Sequence, residues 1–151
     1  MSNSVKVDQK GRLKIPAALL LTLRKLGDEF YITSEIGDSV RIYPLKVWNE
    51  IVKRLEHLSS HNRNGYKLLA RAKYFGQTVS IDKQGRVLIP AALRKIAQVK
   101  GKVDVLDYRN YLEVWNHIRL LNDHKRNPIS VHDEKTLELH LAEISPVLGF
   151  K

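Results

Sequence analysis

The sequence predicts a mainly β fold with peripheral helices, in which two copies of a short hairpin unit share one barrel-like core. Two observations predict it. The segments from Val5 to Leu19 and from Val79 to Leu93 are identical at nine of fifteen positions, where unrelated segments share about one. Within each copy, apolar and polar residues alternate over short runs, which is typical of strands with one buried face. A helical tail follows the second copy.

Each copy begins with two short strands around a polar turn. In the first copy Val5 and Val7 precede the turn and Leu13 and Ile15 follow it, alternating with polar residues. An Asp in a turn binds nearby backbone N–H groups, and a Gly supplies the positive φ that such turns need. The residues predicted to shape the two turns are therefore Asp8, Gly11, Asp82 and Gly85.

The rest of each copy is predicted from helical spacing and chain breakers. Pro16 and Pro90 suit the first turn of a helix, and Gly27 and Gly101 are predicted to end the helices that follow. Helices are expected over 17–26, 91–97, 66–75 and 131–144, and a helix with an apolar stripe from Trp48 to Leu58. Further strands are expected over 30–33, 39–43, 103–106 and 111–115, and a loop over 59–65.

The repeat also predicts how the chain is divided. Four short strands bury little and leave open edges, so two copies in one chain are expected to join their sheets around a pseudo-two-fold axis. Two similar turns on one face would then address two stretches of a DNA groove together. The predicted segments are a first repeat with its trailing helix (1–58), a basic connector (59–78), a second repeat (79–126) and a tail helix (127–151).

Composition favours a polyanionic partner. The chain has 26 Lys and Arg against 16 Asp and Glu, a formal charge of +10, which speeds encounter with polyanions. It has no cysteine, which excludes disulfides, thiolate nucleophiles and cysteine-based zinc sites. The N-terminus lacks the apolar run of a signal peptide and no stretch is long enough to span a membrane, so a cytoplasmic location is expected.

The turns carry a recognisable motif. Asp8-x-x-Gly11-Arg12-x-x-Ile15-Pro16 and its copy from Asp82 to Pro90 resemble the AbrB-type swapped-hairpin DNA-binding motif. Two copies in a chain of this length are similar to the MraZ family, as are Ile42-Tyr43-Pro44-Leu45 before Trp48 and Glu113-Val114-Trp115. Two features depart from the family pattern: the lead-in to the first strand is short, and Leu20 stands where the second copy has Arg94.

The resemblance implies both an architecture and a function. It implies two swapped hairpins in a pseudo-two-fold double-split β-barrel, a ring-shaped homo-oligomer, and a nucleoid-associated transcriptional regulator. Such a protein binds double-stranded DNA at short tandem repeats upstream of its own operon of division and cell-wall genes. No cofactor, membrane or small-molecule substrate is implied, and the Asp-x-x-x-Arg motif is the part that faces DNA.

Eight basic residues are candidates for DNA contact. Arg12 and Arg86 lie at the base of the turns, where a guanidinium group can reach guanine or a phosphate; the alternative is an internal salt bridge to Asp8 or Asp82, and both roles can coexist. Lys10, Lys14 and Lys83 suit phosphate contacts. The last three, which are equally explained as solvated helix ends, are Arg24, Arg94 and Lys95.

Two other classes of function were weighed. An enzyme is not expected, because no nucleotide-binding or hydrolase motif occurs, and His57 and His61, four residues apart, have no third metal ligand nearby. An antitoxin with the same hairpin fold is the stronger rival, with residues 131–151 as the toxin-binding tail. Antitoxins of this type usually carry one copy of the motif and an acidic tail, whereas this tail is mixed in charge.

Overall fold

The structure is a computed structural model that describes the backbone of residues 3–148 and the side chains of residues 3–143. Each copy contributes four strands, and helices follow the second and fourth strand of each. In chain order the elements are β1 (Asn3–Val7), β2 (Arg12–Lys14), α1 (Ala17–Arg24), β3 (Glu29–Thr33), β4 (Val40–Pro44), α2 (Leu45–Ser59), α3 (Arg63–Phe75), β5 (Gln77–Ser80), β6 (Arg86–Leu88), α4 (Ala91–Ile96), β7 (Gly101–Asp107), β8 (Leu112–Asn116), α5 (His117–Arg126) and α6 (Val131–Leu148).

Two predicted boundaries are wrong. The loop predicted over 59–65 is limited to residues 60–62, because α2 continues to Ser59 and α3 begins at Arg63. The side chain of Asn62 accepts hydrogen bonds from the backbone N–H groups of Asn64 and Gly65 at 2.9 and 3.1 Å, which satisfies donors that a helix start leaves unpaired. Gly101 is not a helix stop either, since it is the first residue of β7; Gln98, at φ 55°, takes the left-handed conformation after α4.

The helix ends also differ from the predicted spacing. Helix α1 ends at Arg24 rather than at position 26, and α4 ends at Ile96. Leu26 donates its backbone N–H to the carbonyl of Leu23 at 2.9 Å, a tighter turn that leads into Gly27. In the tail, α6 continues past position 144 to Leu148.

Strands of the two copies pair with each other in two antiparallel sheets. The larger sheet has the order β1-β7-β8-β4-β3-β5, and the smaller one consists of β2 and β6. The first strand of each copy therefore pairs with the third strand of the other copy, β1 with β7 and β5 with β3. Neither copy can complete its sheets alone, which is the physical reason for the duplication.

The registers show a pseudo-two-fold relation between the copies. In the small sheet, Leu13 of β2 lies opposite Val87 of β6, and these residues occupy equivalent positions of the two copies. In the large sheet, β4 and β8 pair in the same way, with Arg41 opposite Glu113. The apolar side chains on the inner faces of both sheets form one core. Fully buried members from both copies include Leu13, Phe30, Ile42, Val87, Leu93 and Val114.

The chain separates into two compact units. The first includes every strand and the helices from α1 to α4, and ends at Leu120. In it, α2 and α3 pack on the outer face of β3 and β4. The second unit begins at Leu121 and contains α6, whose side chains from Val131 to Glu143 are all exposed. Among the described residues, no helix is long and apolar enough to cross a membrane.

Candidate nucleic-acid interface

The first turn is organised by the carboxylate of Asp8. Its Oδ1 accepts hydrogen bonds from the backbone N–H groups of Lys10 and Arg12, both at 2.9 Å. Its Oδ2 accepts a third from Nε of Arg12 at 2.8 Å. Gly11 closes the turn at φ +86°, a conformation that L side chains rarely adopt, and donates its N–H to the carbonyl of Asp8 at 3.0 Å.

The second turn repeats this arrangement residue by residue. The backbone N–H groups of Gln84 and Arg86 donate to Oδ1 of Asp82 at 2.8 and 2.9 Å, and Nε of Arg86 donates to Oδ2 at 3.1 Å. In both turns the carboxylate pKa is lowered, chiefly by the hydrogen bond from the arginine's backbone N–H and further by the arginine side chain. Both carboxylates are therefore ionised at neutral pH.

The hydrogen bonds to Asp orient the arginine side chains and leave part of each available. Nε of Arg12 and of Arg86 is occupied, but neither residue has a partner for its terminal guanidinium nitrogens among the described backbone and side-chain atoms. The side chains are 32% and 29% exposed. The internal salt bridge through Nε and two unpaired terminal NH2 groups thus coexist on the same residue. A guanidinium group with both NH2 groups free can bind an acceptor edge in a bidentate way.

The two turns are joined by the small sheet, which we call the ribbon (Arg12–Lys14 paired with Arg86–Leu88). Side chains directly opposite one another in an antiparallel pair lie on the same face. Leu13 and Val87 face inward and are 0% exposed. The other face therefore carries the pairs Arg12 with Leu88 and Lys14 with Arg86. This outward face contains three cations and one apolar side chain.

Each turn rests on the other copy. The N–H of Ile15 donates to the carbonyl of Gly85, and the N–H of Ile89 donates to that of Gly11, both at 2.9 Å. A Cβ atom on Gly11 would lie 2.5 Å from Cζ of Arg94, and one on Gly85 would lie 2.9 Å from Cδ2 of Leu20. A side chain of one copy therefore packs against the turn glycine of the other copy: Arg94 against Gly11, and Leu20 against Gly85.

The side chains that pack against the two turns are chemically different. The first turn lies on the guanidinium group of Arg94, whereas the second lies on the apolar side chain of Leu20. Arg24, one helical turn beyond Leu20, donates from a terminal nitrogen to the carbonyl of Asp82 at 3.2 Å. Each turn thus receives an arginine from the opposite copy, at a different point.

The remaining predicted contact residues lie around the ribbon. Lys10 and Lys83 are exposed within the turns, and Lys14 is exposed on the outward face. Lys95 is exposed near the end of α4, while its neighbour Arg94 is half-buried. The structure therefore brings Arg12, Arg86 and Lys14 together on one face. It packs Arg94 against Gly11 of the first turn and bonds the exposed Arg24 to the carbonyl of Asp82 in the second. Lys95 makes no described contact with either turn.

Two features, one on the ribbon and one at the end of α4, were not predicted from the sequence. One is Leu88, which is 54% exposed on the outward face; strand alternation alone would have placed it there, since Val87 is inward. The other is Arg119, which donates to Asp38 at 3.2 Å and to the carbonyl of Ile96 at 3.4 Å. It thereby fixes the end of α4, the helix that carries Arg94, and no local sequence signal indicates this contact.

The histidines form no comparable centre. The rings of His57 and His61 lie edge to face with their centroids 5.7 Å apart. Among the residues that the structure describes, no three His, Cys, Asp or Glu side chains are grouped so as to hold a metal ion. Trp48, predicted as a packing residue, is buried and stacks on Tyr31 with a centroid distance of 4.5 Å.

The ribbon and its two Asp-bound arginines define a class: a duplicated β-hairpin protein whose paired second strands present a basic face to solvent. A family model described as "MraZ protein, putative antitoxin-like" matches residues 2–69 and 76–136. The chain belongs to the MraZ family, and the prediction made from its two motifs is confirmed.

Curated relatives agree with this assignment. Proteins named transcriptional regulator MraZ from Acidobacterium capsulatum and Koribacter versatilis are each 40% identical to the chain, over 137 and 141 residues. Both alignments cover 90% of this chain and 94% of the relative. A protein of the same name from Finegoldia magna is 32% identical over 111 residues, which is 73% of this chain and 75% of that protein.

Proposed function

We propose that this protein is a sequence-specific transcriptional regulator that inserts its ribbon into the major groove of DNA. The observation that carries the proposal is the outward face of the ribbon, where Arg12 and Arg86 each extend unpaired terminal donors beside Lys14. The names of the relatives, which describe transcriptional regulators, support the same role.

The dimensions of the ribbon suit a single groove. The major groove is about 12 Å wide and admits a two-stranded β-ribbon. Strand rise and strand spacing put the Cα atoms of Arg12 and Arg86 about 8 Å apart. We therefore propose that one chain occupies one stretch of groove, whereas the sequence alone suggested two.

Within this arrangement the residues divide by task. The two arginine forks would contact base edges, for which guanine O6 and N7 are the best match. Lys10, Lys14, Lys83 and Lys95 would contact phosphates, and each such contact releases counterions. Asp8 and Asp82 hold the turns with Gly11 and Gly85, and they do not contact DNA because their charge repels phosphate. Arg94 would support the first turn by packing against Gly11, and Arg24 would support the second through its hydrogen bond to the carbonyl of Asp82.

The larger arrangement remains part of the proposal. We propose that the two sheets close into a double-split barrel of two swapped hairpins, and that the protein acts in the cytoplasm on nucleoid DNA. Several copies would assemble into a ring, which increases avidity for tandem repeats upstream of its own division and cell-wall operon. The segments 1–58, 59–78, 79–126 and 127–151 remain the proposed functional division of the chain.

The proposal is tested by DNA binding to the region upstream of the gene, measured by fluorescence anisotropy at several salt concentrations. If one chain contacts about six phosphates, log K falls against log salt with a slope of about −5. Replacing Arg12 and Arg86 by Ala is expected to remove about 1–3 kcal/mol of base discrimination each. Arg54→Ala, which removes an exposed arginine from α2, is the matched control.

Two results would contradict the proposal. A salt slope near zero would exclude an electrostatic interface with DNA. Unchanged DNA binding by a folded Arg12→Ala, Arg86→Ala double variant would exclude the ribbon as the DNA-binding element. Replacement by Lys instead of Ala separates charge from geometry: it is expected to keep the salt slope and lose the discrimination, because an ammonium group has no planar fork.

An antitoxin is the second candidate, and two observations favour it. The family description contains the word antitoxin, and α6 exposes Leu137 and Leu139 at 54% and 67%. A small protein partner bound at fixed stoichiometry in a pull-down would support this candidate. A homomeric ring in solution, with no second protein, would support the regulator.

A further inference from the structure

Leu88 breaks the chemical pattern of the ribbon. Its three neighbours on the outward face, Arg12, Lys14 and Arg86, are cations, and Leu88 is 54% exposed among them. The first copy has Lys14 at the equivalent position. The duplication therefore produced one ribbon with two different ends: Arg12 beside Leu88, and Arg86 beside Lys14.

The fold does not require an apolar residue at this position. The core is filled from the other face of the ribbon by Leu13 and Val87, both 0% exposed, and Leu88 is not part of either buried cluster. The backbone of the ribbon is extended by the bonds of Ile15 and Ile89 to the opposite turns, which any side chain at position 88 would permit. Lys14 demonstrates that a lysine is compatible with this strand position.

The major groove presents one apolar group, the C5-methyl group of thymine, and side chains contact it by apolar surface. Side chains directly opposite in an antiparallel pair have Cβ atoms about 5 Å apart, so Leu88 is placed to meet the base pair next to the one that Arg12 contacts. We propose that Leu88 is a specificity-determining residue that contacts the methyl group of a thymine. This inference rests on the proposed insertion of the ribbon into the groove.

The two ends of the ribbon then recognise different things. The end with Arg12 and Leu88 reads a base pair with a guanine and a neighbouring thymine, while the end with Arg86 and Lys14 combines one base contact with a phosphate contact. A chain with such a ribbon binds its site in one orientation only. Consecutive copies bound along DNA would therefore face the same way.

The test uses the intact protein and duplexes of its upstream DNA in which each thymine in turn is replaced by deoxyuridine. This substitution removes the methyl group and leaves every hydrogen-bonding group in place. For the natural protein, deoxyuridine at one or two positions is expected to weaken binding about fourfold, the effect of losing one buried methyl contact. At the other positions no change is expected.

Two variants assign the effect to Leu88. Leu88→Ala is expected to bind the unsubstituted duplex, which contains no deoxyuridine, more weakly than the natural protein does. Deoxyuridine at the sensitive positions should weaken its binding no further. Leu88→Lys, which copies the first repeat, is expected to lose the same methyl discrimination while its salt slope steepens by about 1. Ile118→Ala, which truncates a 62% exposed side chain on α5, is the matched control and should keep the sensitivity of the natural protein.

The outcomes separate the inference from the function on which it rests. If DNA binding depends on Arg12 and Arg86 but no deoxyuridine substitution weakens it, the proposed role of Leu88 is overturned and the proposed function is not. A Leu88→Ala variant with an unchanged deoxyuridine penalty also overturns it. If the natural protein shows no salt-dependent binding to DNA, the proposed function is overturned and the inference with it. The deoxyuridine series on the natural protein needs no variant to fold.

Discussion

Asp8 and Asp82 fix the orientation of the Arg12 and Arg86 side chains by accepting hydrogen bonds from them. Each carboxylate accepts two backbone N–H groups and one guanidinium nitrogen, so the turn and the arginine are fixed by one side chain. The sequence predicted the turn from Asp and Gly, whose chemistry is local. It did not predict that Arg94 lies under the first turn, because that contact depends on which copy pairs with which.

The lowered pKa values of Asp8 and Asp82 give a residue-scale prediction. Because the folded pKa lies below the unfolded value of 3.8, each carboxylate stabilises the fold above that pH, and this contribution is lost as the pH falls through the folded pKa. NMR titration of the two carboxyl groups should give midpoints below 3.8. In Arg12→Ala, the midpoint of Asp8 should rise but stay below that value, since the backbone N–H is the largest cause and remains.

Gly11 gives a second prediction at this scale. Replacement by Ala forces a Cβ into a residue at φ +86° and against the guanidinium group of Arg94, so we expect a loss of about 1–2 kcal/mol in the free energy of unfolding and weaker DNA binding. Gly27→Ala is the control, because its φ is +130° but no atom lies within 4 Å of the added Cβ. It should destabilise without affecting DNA binding. Equal DNA binding by both variants would show that the position of Arg94 is irrelevant.

At the scale of elements, the two copies meet along β4 and β8. Arg41 and Glu113 lie opposite each other there, with Nε of Arg41 3.0 Å from Oε2 of Glu113. Glu35 and Tyr43 also bind the guanidinium group, at 3.0 and 3.2 Å. Burial opposes the charge of Arg41, but the hydrogen bond to Tyr43 and the charge of Glu35 outweigh it and raise the pKa of Arg41. Trp115 donates its indole N–H to Glu113.

This network predicts a large effect for a small change. Glu113→Gln removes the charged partner of Arg41 across the strand pair, where the carboxylate is only 9% exposed. Glu35 stays bound to Arg41, so we expect the loss of one charge-assisted hydrogen bond, about 1.5–3 kcal/mol in the free energy of unfolding. The control is Glu50→Gln, which breaks an exposed pair with Lys53 on α2 and should cost less than about 0.5 kcal/mol. Chemical denaturation measures both. A similar midpoint for the two variants would mean that the network does not hold the copies together.

The sequence predicted which segments form strands and helices, but local patterns did not predict which strands pair with each other. Alternation identified the strands, and the proline after each ribbon strand identified the helix that follows. The exchange of first strands between copies has no local signal, because a sequence pattern specifies which face of a strand is buried and not which strand lies beside it. The loop expected over 59–65 was wrong for a different, local reason: Asn62 caps α3, and the helix therefore begins at Arg63.

At the scale of the whole molecule, the basic face and the strands belong to the unit that ends at Leu120. The side chains of α6 from Val131 to Glu143 are exposed, so removing them takes little apolar surface from the core. A chain that ends at residue 126 should therefore melt within a few degrees of the full chain and retain its DNA affinity per subunit. Loss of folding or of all DNA binding on this truncation would show that folding and DNA binding are not confined to the unit that ends at Leu120.

Insertion of the ribbon into the major groove can be measured by hydrogen exchange of the backbone amides with and without upstream DNA. We expect DNA to add protection chiefly in residues 8–14 and 82–88 and to leave α2 and α3 unchanged. This protection should disappear in the Arg12→Ala, Arg86→Ala variant. Protection confined to α3 or α6, with none in the two turns and the ribbon, would show that the ribbon does not enter the groove.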